Sequence, residues 1–471
     1  MLDNSQKDAI GLTFVLNQLA PSSPYGKEKL KELRFLDKQG LEKSFHNIEQ
    51  VLYCIKEHSN HIETLKLYLS DLKNIRQSIA RSNVNTLHQI ELFEIKQFLL
   101  TYEKLLNTFN LLAKNVTFVD INLQPMTQVL TILDPKEQRV ASFMLDSPAL
   151  EVIRKEKLQI EAELTTANDE STRSLLSTKR RELVAKEEAE EANKAKELTE
   201  HIKQYVALFF ENMYNIAELD FAIAKGSIAL KYSATKPTIA QKLALTNMAN
   251  PYVEYALAKQ GKHITKVSID LPQGVTIITG ANMGGKSISI KTTVLNILLC
   301  RMGLFVFAEQ AHIPMFDDVY LISEDMQDIG KGLSSFGAEM LFFNSIAKQI
   351  KTKFLFIALD EFARGTNPEE GGTIVKAVAS YLSKTTSICV MTTHYDKIAS
   401  PLFKHYQVAG LDLAKAKHEL GDINDISHIS QYMDYTLVEV SSATKPPRDA
   451  LNICRLIGLD EDILNHIEEA L

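Results

Sequence analysis

From the N-terminus to about residue 245, apolar residues recur at three- and four-residue spacings. Leu92, Phe93, Ile95, Phe98 and Leu99 form one such stripe, and prolines and glycines are sparse. That period predicts a half built mostly of α-helix. Within it, residues 151–200 are strongly charged, with EVIRKEKLQIEAEL and STKRRELVAKEEAEEANKAKELTEHI separated by a polar break at TTANDES. Two long helices joined by a polar turn, an antiparallel coiled-coil arm over about 145–205, is the expected arrangement. A single exposed, salt-bridged helix is the alternative. The second helix is expected to continue through Tyr205, Leu208, Phe209 and Met213 towards Ala224. From about residue 246 the pattern changes to short, nearly all-apolar runs, VTIITG, FLFIALDE and SICVMTTH, alternating with helical segments and glycine-bearing turns. Such runs suit strands buried on both faces of a parallel sheet. The tail from about 430 reads as a strand (YTLVEV), a turn with Pro446 and Pro447, and two short helices. The expected fold is α + α/β: a helical domain over 1–245 carrying the arm, then an α/β domain over 246–471.

Composition narrows the function classes. A chain of 471 residues accommodates two to four domains, and 45% hydrophobic with 24% charged residues is ordinary globular usage. The formal net charge of −7, from 52 Lys+Arg against 59 Asp+Glu, gives no electrostatic reason to require nucleic acid. Cys54, Cys300, Cys389 and Cys454 lie far apart, so neither a disulfide framework nor a zinc site is expected, and a reducing cytoplasm fits. The opening MLDNSQKDAI lacks a signal-peptide pattern, and Thr292 to Ala308 is interrupted by Arg301 and too short to span a bilayer. A soluble, cytoplasmic protein with no membrane partner is the expectation.

The sharpest chemical signal is Gly280-Ala-Asn282-Met283-Gly284-Gly285-Lys286-Ser287, which matches the P-loop pattern and lies between a predicted strand and a predicted helix. Glycines let successive backbone N–H groups curl towards phosphate oxygens, and the helix behind directs its positive end at them. Lys286 can reach the β- and γ-phosphates of ATP, and Ser287 can ligate Mg²⁺. Downstream, FLFIAL delivers Asp360 and Glu361 at a strand's C-terminal end, the edge where open α/β sheets bind ligands. Asp360 would hold Mg²⁺ through water, and Glu361 would polarise the attacking water. A third apolar strand ends near His394, placed to sense the γ-phosphate.

These pieces together, TGANMGGKS, LSSFGAEM (333–340), LDEFARGTNPEEG (359–371) and TTHY (392–395), resemble the MutS family. The resemblance implies a P-loop, ABC-like ATPase domain that works at a dimer interface, homodimeric or heterodimeric. It gives Ser334 the role of reaching the partner's nucleotide in trans, with Phe336 and Glu339 supporting that loop, and puts Asn282 and Met283 in the nucleotide-sensing turn. A serine pair before an aromatic residue is also a common helix cap. More faintly, LAPSSPYGKEKLKEL (19–33) and IAELDFAIAKGSIALKYSATKP (216–237) resemble the family's helical core and returning lever helix, and the charged arm falls where the family places its clamp.

The departures shape the functional expectation. Ala281 stands for the family's usual proline and Ala363 for its glycine. The chain opens directly at the core domain, so no counterpart of the mismatch-reading domain is expected, nor of the small nuclease-like Smr domain. Residues 151–200 hold 10 Lys/Arg against 13 Asp/Glu, a net of −3, whereas clamping a duplex depends on cations that displace counterions. Two roles follow from the resemblance. One is a DNA-binding, mismatch-repair-related paralogue without its own reader. The other is a protein-remodelling ATPase whose client is a cobalamin-dependent aminomutase.

Overall fold

The computed structural model describes residues 2–136, 144–280, 285–323, 335–395, 398, 400, 402–411, 432–440, 454–455 and 459–470. Asn282, Met283, Gly284, Ser334 and the expected Pro446–Pro447 turn lie outside the described residues. Helices combine with two mixed sheets. The contacts group into two compact units, residues 1–19, 34–45 and 227–471 forming one and residues 20–33 and 46–226 the other. The chain therefore passes between them four times, twice inside helices, Lys38–Glu57 and Val206–Lys231.

The second unit is helical. Its core gathers Leu92, Ile95, Phe98 and Leu99 of the predicted stripe, without the half-exposed Phe93, together with Ile62, Leu65 and Leu69 of Ser59–Asp71 and Phe209 and Met213 of Val206–Lys231. Phe98 stacks on Tyr102 with centroids 5.8 Å apart and meets Tyr25 edge-on at 6.2 Å. A buried carboxylate ties the N-terminal turn to Val206–Lys231. Asp220 accepts hydrogen bonds from the backbone N–H groups of Ser22 (2.9 Å) and Ser23 (2.7 Å) and from the Ser23 hydroxyl (2.6 Å). Burial holds its carboxyl above the usual range, against these donors.

The charged segment forms two helices, Pro148–Thr166 and Glu170–Lys203, each started by a side-chain cap, Ser147 and Asp169. They run antiparallel, because Arg154 pairs with Glu187 and Glu191 near one end and Arg180 with Glu161 further along. Lys157 joins Glu187 as well. The second helix does not run on to Ala224. It stops at a turn over Gln204 and Tyr205 before Val206–Lys231 begins. Ile202, before the turn, and Phe209, after it, are both fully buried in the core of this unit.

In the first unit, a six-stranded sheet runs in the order Met433–Glu439, Lys404–Leu411, Gly274–Thr279, Ile388–Thr392, Leu355–Leu359, Asp318–Ile322. The last five are parallel, and Met433–Glu439 is an antiparallel edge. Leu355–Leu359 and Ile388–Thr392 are buried at every position, as their unbroken apolar runs require. Helices Lys286–Arg301, Ser335–Gln349 and Pro368–Leu382 connect the parallel strands. A four-stranded sheet, Thr238–Ile239, Gln310–Ile313, Leu243–Met248 and Val267–Leu271, accompanies it. Residues from the far N-terminus complete this unit: the Gln6 amide donates to Leu321 O at 2.7 Å, and Arg301 donates to Leu36 O at 2.9 Å.

Candidate active site

Three parallel strands end at one edge of the six-stranded sheet. Ile278 lies opposite Thr392, and Leu359 opposite Met391, so Gly280, Asp360 and Thr393 emerge side by side. Gly280 has φ 130° and Gly285 φ 75°, and a Cβ on Gly285 would lie 3.0 Å from the Tyr435 ring. Both the conformation and the approach explain glycine there. Gly285 caps the helix Lys286–Arg301, whose first-turn N–H groups have no partner of their own within the helix.

Lys286 is buried, and its Nζ donates to Gly280 O at 2.6 Å. Burial draws the ammonium below the usual lysine range, against the pull of the Glu361 and Asp360 carboxylates. The Ser287 hydroxyl donates to Asp360 Oδ1 at 3.0 Å, and the Thr392 hydroxyl donates to the same oxygen at 2.7 Å. Burial pushes the Asp360 carboxyl above its usual range, opposed by these two hydroxyls. Thr392 Oγ1 also accepts the Glu361 N–H at 2.9 Å. One threonine hydroxyl thus holds both acidic residues, a role that the sequence reading did not assign. Its only local signal is position, at the end of an apolar strand.

The loop after Asp360 is tightly held. Glu361 (φ 51°) and Ala363 (φ 61°) occupy the left-handed region, which costs a residue with a Cβ about 1–2 kcal/mol. A glycine at 363, as the MutS resemblance led one to expect, would avoid that strain. Ala363 is fixed instead by its surroundings: its N–H donates to Glu339 Oε2 at 3.0 Å, and its carbonyl accepts from the Tyr395 hydroxyl at 2.9 Å. Arg364 NH1 donates to Glu361 Oε2 at 2.6 Å. His394 is exposed beside the same edge, its ring 4.4 Å from that of Tyr395.

Beside the helix start lies a cavity of about 740 Å³, lined by Gly285, Lys286 and Ser287 on one side, His263 and Ile264 on another, and Met433 and Tyr435 on the edge strand. The last four have no motif of their own, and Tyr435 is expected from the sequence only as the start of the strand YTLVEV. Among the described residues no group of three or more His, Cys, Asp or Glu is arranged to hold a metal. Ser287 and Asp360 offer two hard oxygens, which suits Mg²⁺, a cation that keeps several waters and takes few protein ligands. No helix among the described residues is long and apolar enough to cross a membrane.

Residues 276–465 match the family described as MutS domain V. Endonuclease MutS2 of Caldanaerobacter subterraneus subsp. tengcongensis is 26% identical over 296 residues, 62% of this chain and 35% of the relative. Endonuclease MutS2 of Caldicellulosiruptor bescii is 34% identical over 207 residues, covering 43% of this chain and 25% of the relative. DNA mismatch repair protein MutS of Thermus aquaticus is 31% identical over 221 residues, covering 46% and 26%. The chain thus spans between a quarter and about a third of the length of these relatives. The matched segment encloses Lys286, Asp360, Thr392 and the edge strand beside the cavity, so the part of the chain that carries the site is the part similar to MutS domain V.

Proposed function

We propose that the chain binds ATP with Mg²⁺ at this sheet edge and hydrolyses it. The observation that carries the reading is the single Asp360 oxygen that receives the hydroxyls of Ser287 and Thr392. It joins the helix behind the glycine turn to the ends of two strands, the arrangement a nucleotide-bound Mg²⁺ needs. Lys286 neutralises the β- and γ-phosphates, exchanging the Gly280 carbonyl for phosphate oxygens. Ser287 and Asp360 would hold Mg²⁺, which would supply charge neutralisation at the nucleotide's phosphates. Gly280, Asn282, Met283, Gly284 and Gly285 form the phosphate-binding turn, and the cavity beside it takes the nucleoside. Glu361 polarises the attacking water, and His394 senses the γ-phosphate.

The site works in pairs. Two copies, or this chain and a relative, close on two nucleotides through their ATPase domains, with Ser334 of each reaching the other's phosphate. Closure and reopening move the helical hairpin of residues 148–203. The names of the relatives point that hairpin towards DNA. Its ion pairs favour a second reading. Arg154, Lys157 and Arg180 are engaged with Glu187, Glu191 and Glu161, so three of its cations are spent on the neighbouring helix rather than on phosphate. That supports a protein client, a cobalamin-dependent aminomutase, for a remodelling ATPase.

The experiment has two arms. Lys286→Ala should lose ATP affinity, and Glu361→Gln should bind ATP yet hydrolyse it slowly; turnover of Glu361→Gln within about twofold of the parent rejects its assigned role. Retention of duplex or junction DNA by the chain alone, at about 150 mM salt, separates the two readings of the hairpin. Nanomolar binding establishes the DNA role. Absence of binding, with turnover stimulated by an aminomutase, establishes the remodelling role.

A further inference from the structure

We propose that Arg364 is the positioning residue for Glu361. The inference rests on the reading of Glu361 as the group that polarises water. The Glu361 carboxylate sits in a nearly closed setting, its side chain 10% exposed, while that of Arg364 is 47% exposed and reaches it from the solvent side. Arg364 NH1 takes Oε2 at 2.6 Å and leaves the other oxygen to accept from water. The backbone end of Glu361 is fixed independently, its N–H on Thr392 Oγ1. With both ends held, the side chain keeps one orientation, and a base held in place costs no reorganisation when the reaction occurs.

Arg364 is itself placed by its predecessor. Ala363 is gripped on its N–H by Glu339, on the helix Ser335–Gln349, and on its carbonyl by Tyr395, just beyond the strand Ile388–Thr392. A Cβ on Gly371 would come within 2.2 Å of the Tyr395 hydroxyl, so glycine leaves the room this grip needs. The orientation of Glu361 is therefore tied to two further elements, the helix that follows Ser334 and the segment that carries His394. Movement of either one shifts Ala363, then Arg364, then the carboxylate.

The test uses the full chain and compares Arg364→Ala, Arg364→Lys, Tyr395→Phe, Glu361→Gln and the double variant Arg364→Ala/Glu361→Gln. Turnover at saturating MgATP is measured beside the dissociation constant of a fluorescent ATP analogue. Arg364→Ala should lower kcat by about 10- to 30-fold with affinity within about threefold, the signature of an interaction expressed in the transition state. Arg364→Lys should recover part of the loss, and Tyr395→Phe should lower kcat by about threefold. The double variant should turn over as slowly as Glu361→Gln and no slower, because residues acting through one another are not additive. A double variant slower by the product of the two single losses, or an affinity loss in Arg364→Ala as large as its kcat loss, overturns the positioning role while leaving Glu361 its own. A Glu361→Gln variant that turns over like the parent overturns both.

Discussion

Replacing Thr392 with valine keeps the shape of the side chain and deletes one hydroxyl, which makes it a clean probe of the site. Two interactions disappear: the 2.7 Å bond donated to Asp360 Oδ1 and the 2.9 Å bond accepted from Glu361 N–H. A hydrogen bond to a charged group contributes about 1.5–3 kcal/mol, and the orphaned, buried N–H of Glu361 costs about 1–3 kcal/mol more. Asp360 retains the Ser287 hydroxyl, so the loss is partial, about 3–5 kcal/mol shared between fold and catalysis. If half is expressed in the transition state, kcat falls by roughly 10- to 50-fold, at about 1.4 kcal/mol per decade. The other half lowers Tm by about 4–8 °C for a unit of this size. Steady-state hydrolysis at saturating MgATP and thermal denaturation measure the two parts separately. Thr392→Ser keeps the hydroxyl and should stay close to the parent in both. A valine variant with turnover within twofold of the parent and an unchanged Tm would refute the argument that this hydroxyl organises the two acidic residues.

Asp220→Asn should destabilise the helical unit by about 2–4 kcal/mol, because the new amide NH₂ must face either the Ser22 N–H or the Ser23 donors; chemical denaturation showing no shift in midpoint would contradict this. Since burial raises the Asp360 carboxyl, its contribution to the stability of the nucleotide-free chain is present below the ordinary carboxylate pKa and lost as pH rises through the raised value. The Tm of the parent relative to Asp360→Asn should therefore fall as pH rises above the ordinary carboxylate range, and a constant difference would speak against a raised carboxyl. Mixing Ser334→Ala with Lys286→Ala subunits should restore one composite site per dimer and raise turnover above either alone; a verified mixed dimer without recovery would return Ser334 to its own subunit.

The strands around the site were legible because each is an unbroken apolar run, and burial at every position of Leu355–Leu359 and Ile388–Thr392 is why such runs exist. The antiparallel direction of Met433–Glu439 left no trace in its composition. The second sheet was hidden for another reason. Leu243–Met248 alternates only as far as Leu245, and Thr246 and Asn247 then both face away from the core at a register shift, so no period-two pattern stands out. Nothing resembling a breaker marks the turn at Gln204 and Tyr205, so a continued helix was the natural expectation. Polar residue followed by proline, by contrast, opens four helices, at Ser23, Ser147, Asn250 and Asn367, where each side chain accepts a backbone N–H and the proline gives up none. At the site, the residues carried by a motif could be named in advance, and the structure brings Lys286, Ser287, Asp360 and Glu361 to one sheet edge. Thr392 and Tyr395 bond to partners 31 and 32 positions away, which only folding brings together, while Arg364 meets Glu361 only three positions away but in a pairing that no motif marks.

The four passages of the chain between its units bear on how the protein is made. The helical unit is complete once residue 226 has been synthesised and has cleared the exit tunnel, so that unit can fold while much of the rest is still being translated. The other unit has its first pieces, residues 1–19 and 34–45, long before the strands that receive them. Gln6 waits for Leu321, 315 positions later. Closing a loop of that length rather than one a tenth as long costs about 2 kcal/mol more in chain entropy, and non-local closure of this kind slows folding. The early helical unit shortens the effective loop by holding positions 20 and 226 within one folded body. Synthesis order and topology thus let the helical unit be complete long before the sheet-bearing unit, and a fragment started at residue 246 would lack the two N-terminal pieces that belong to the sheet-bearing unit.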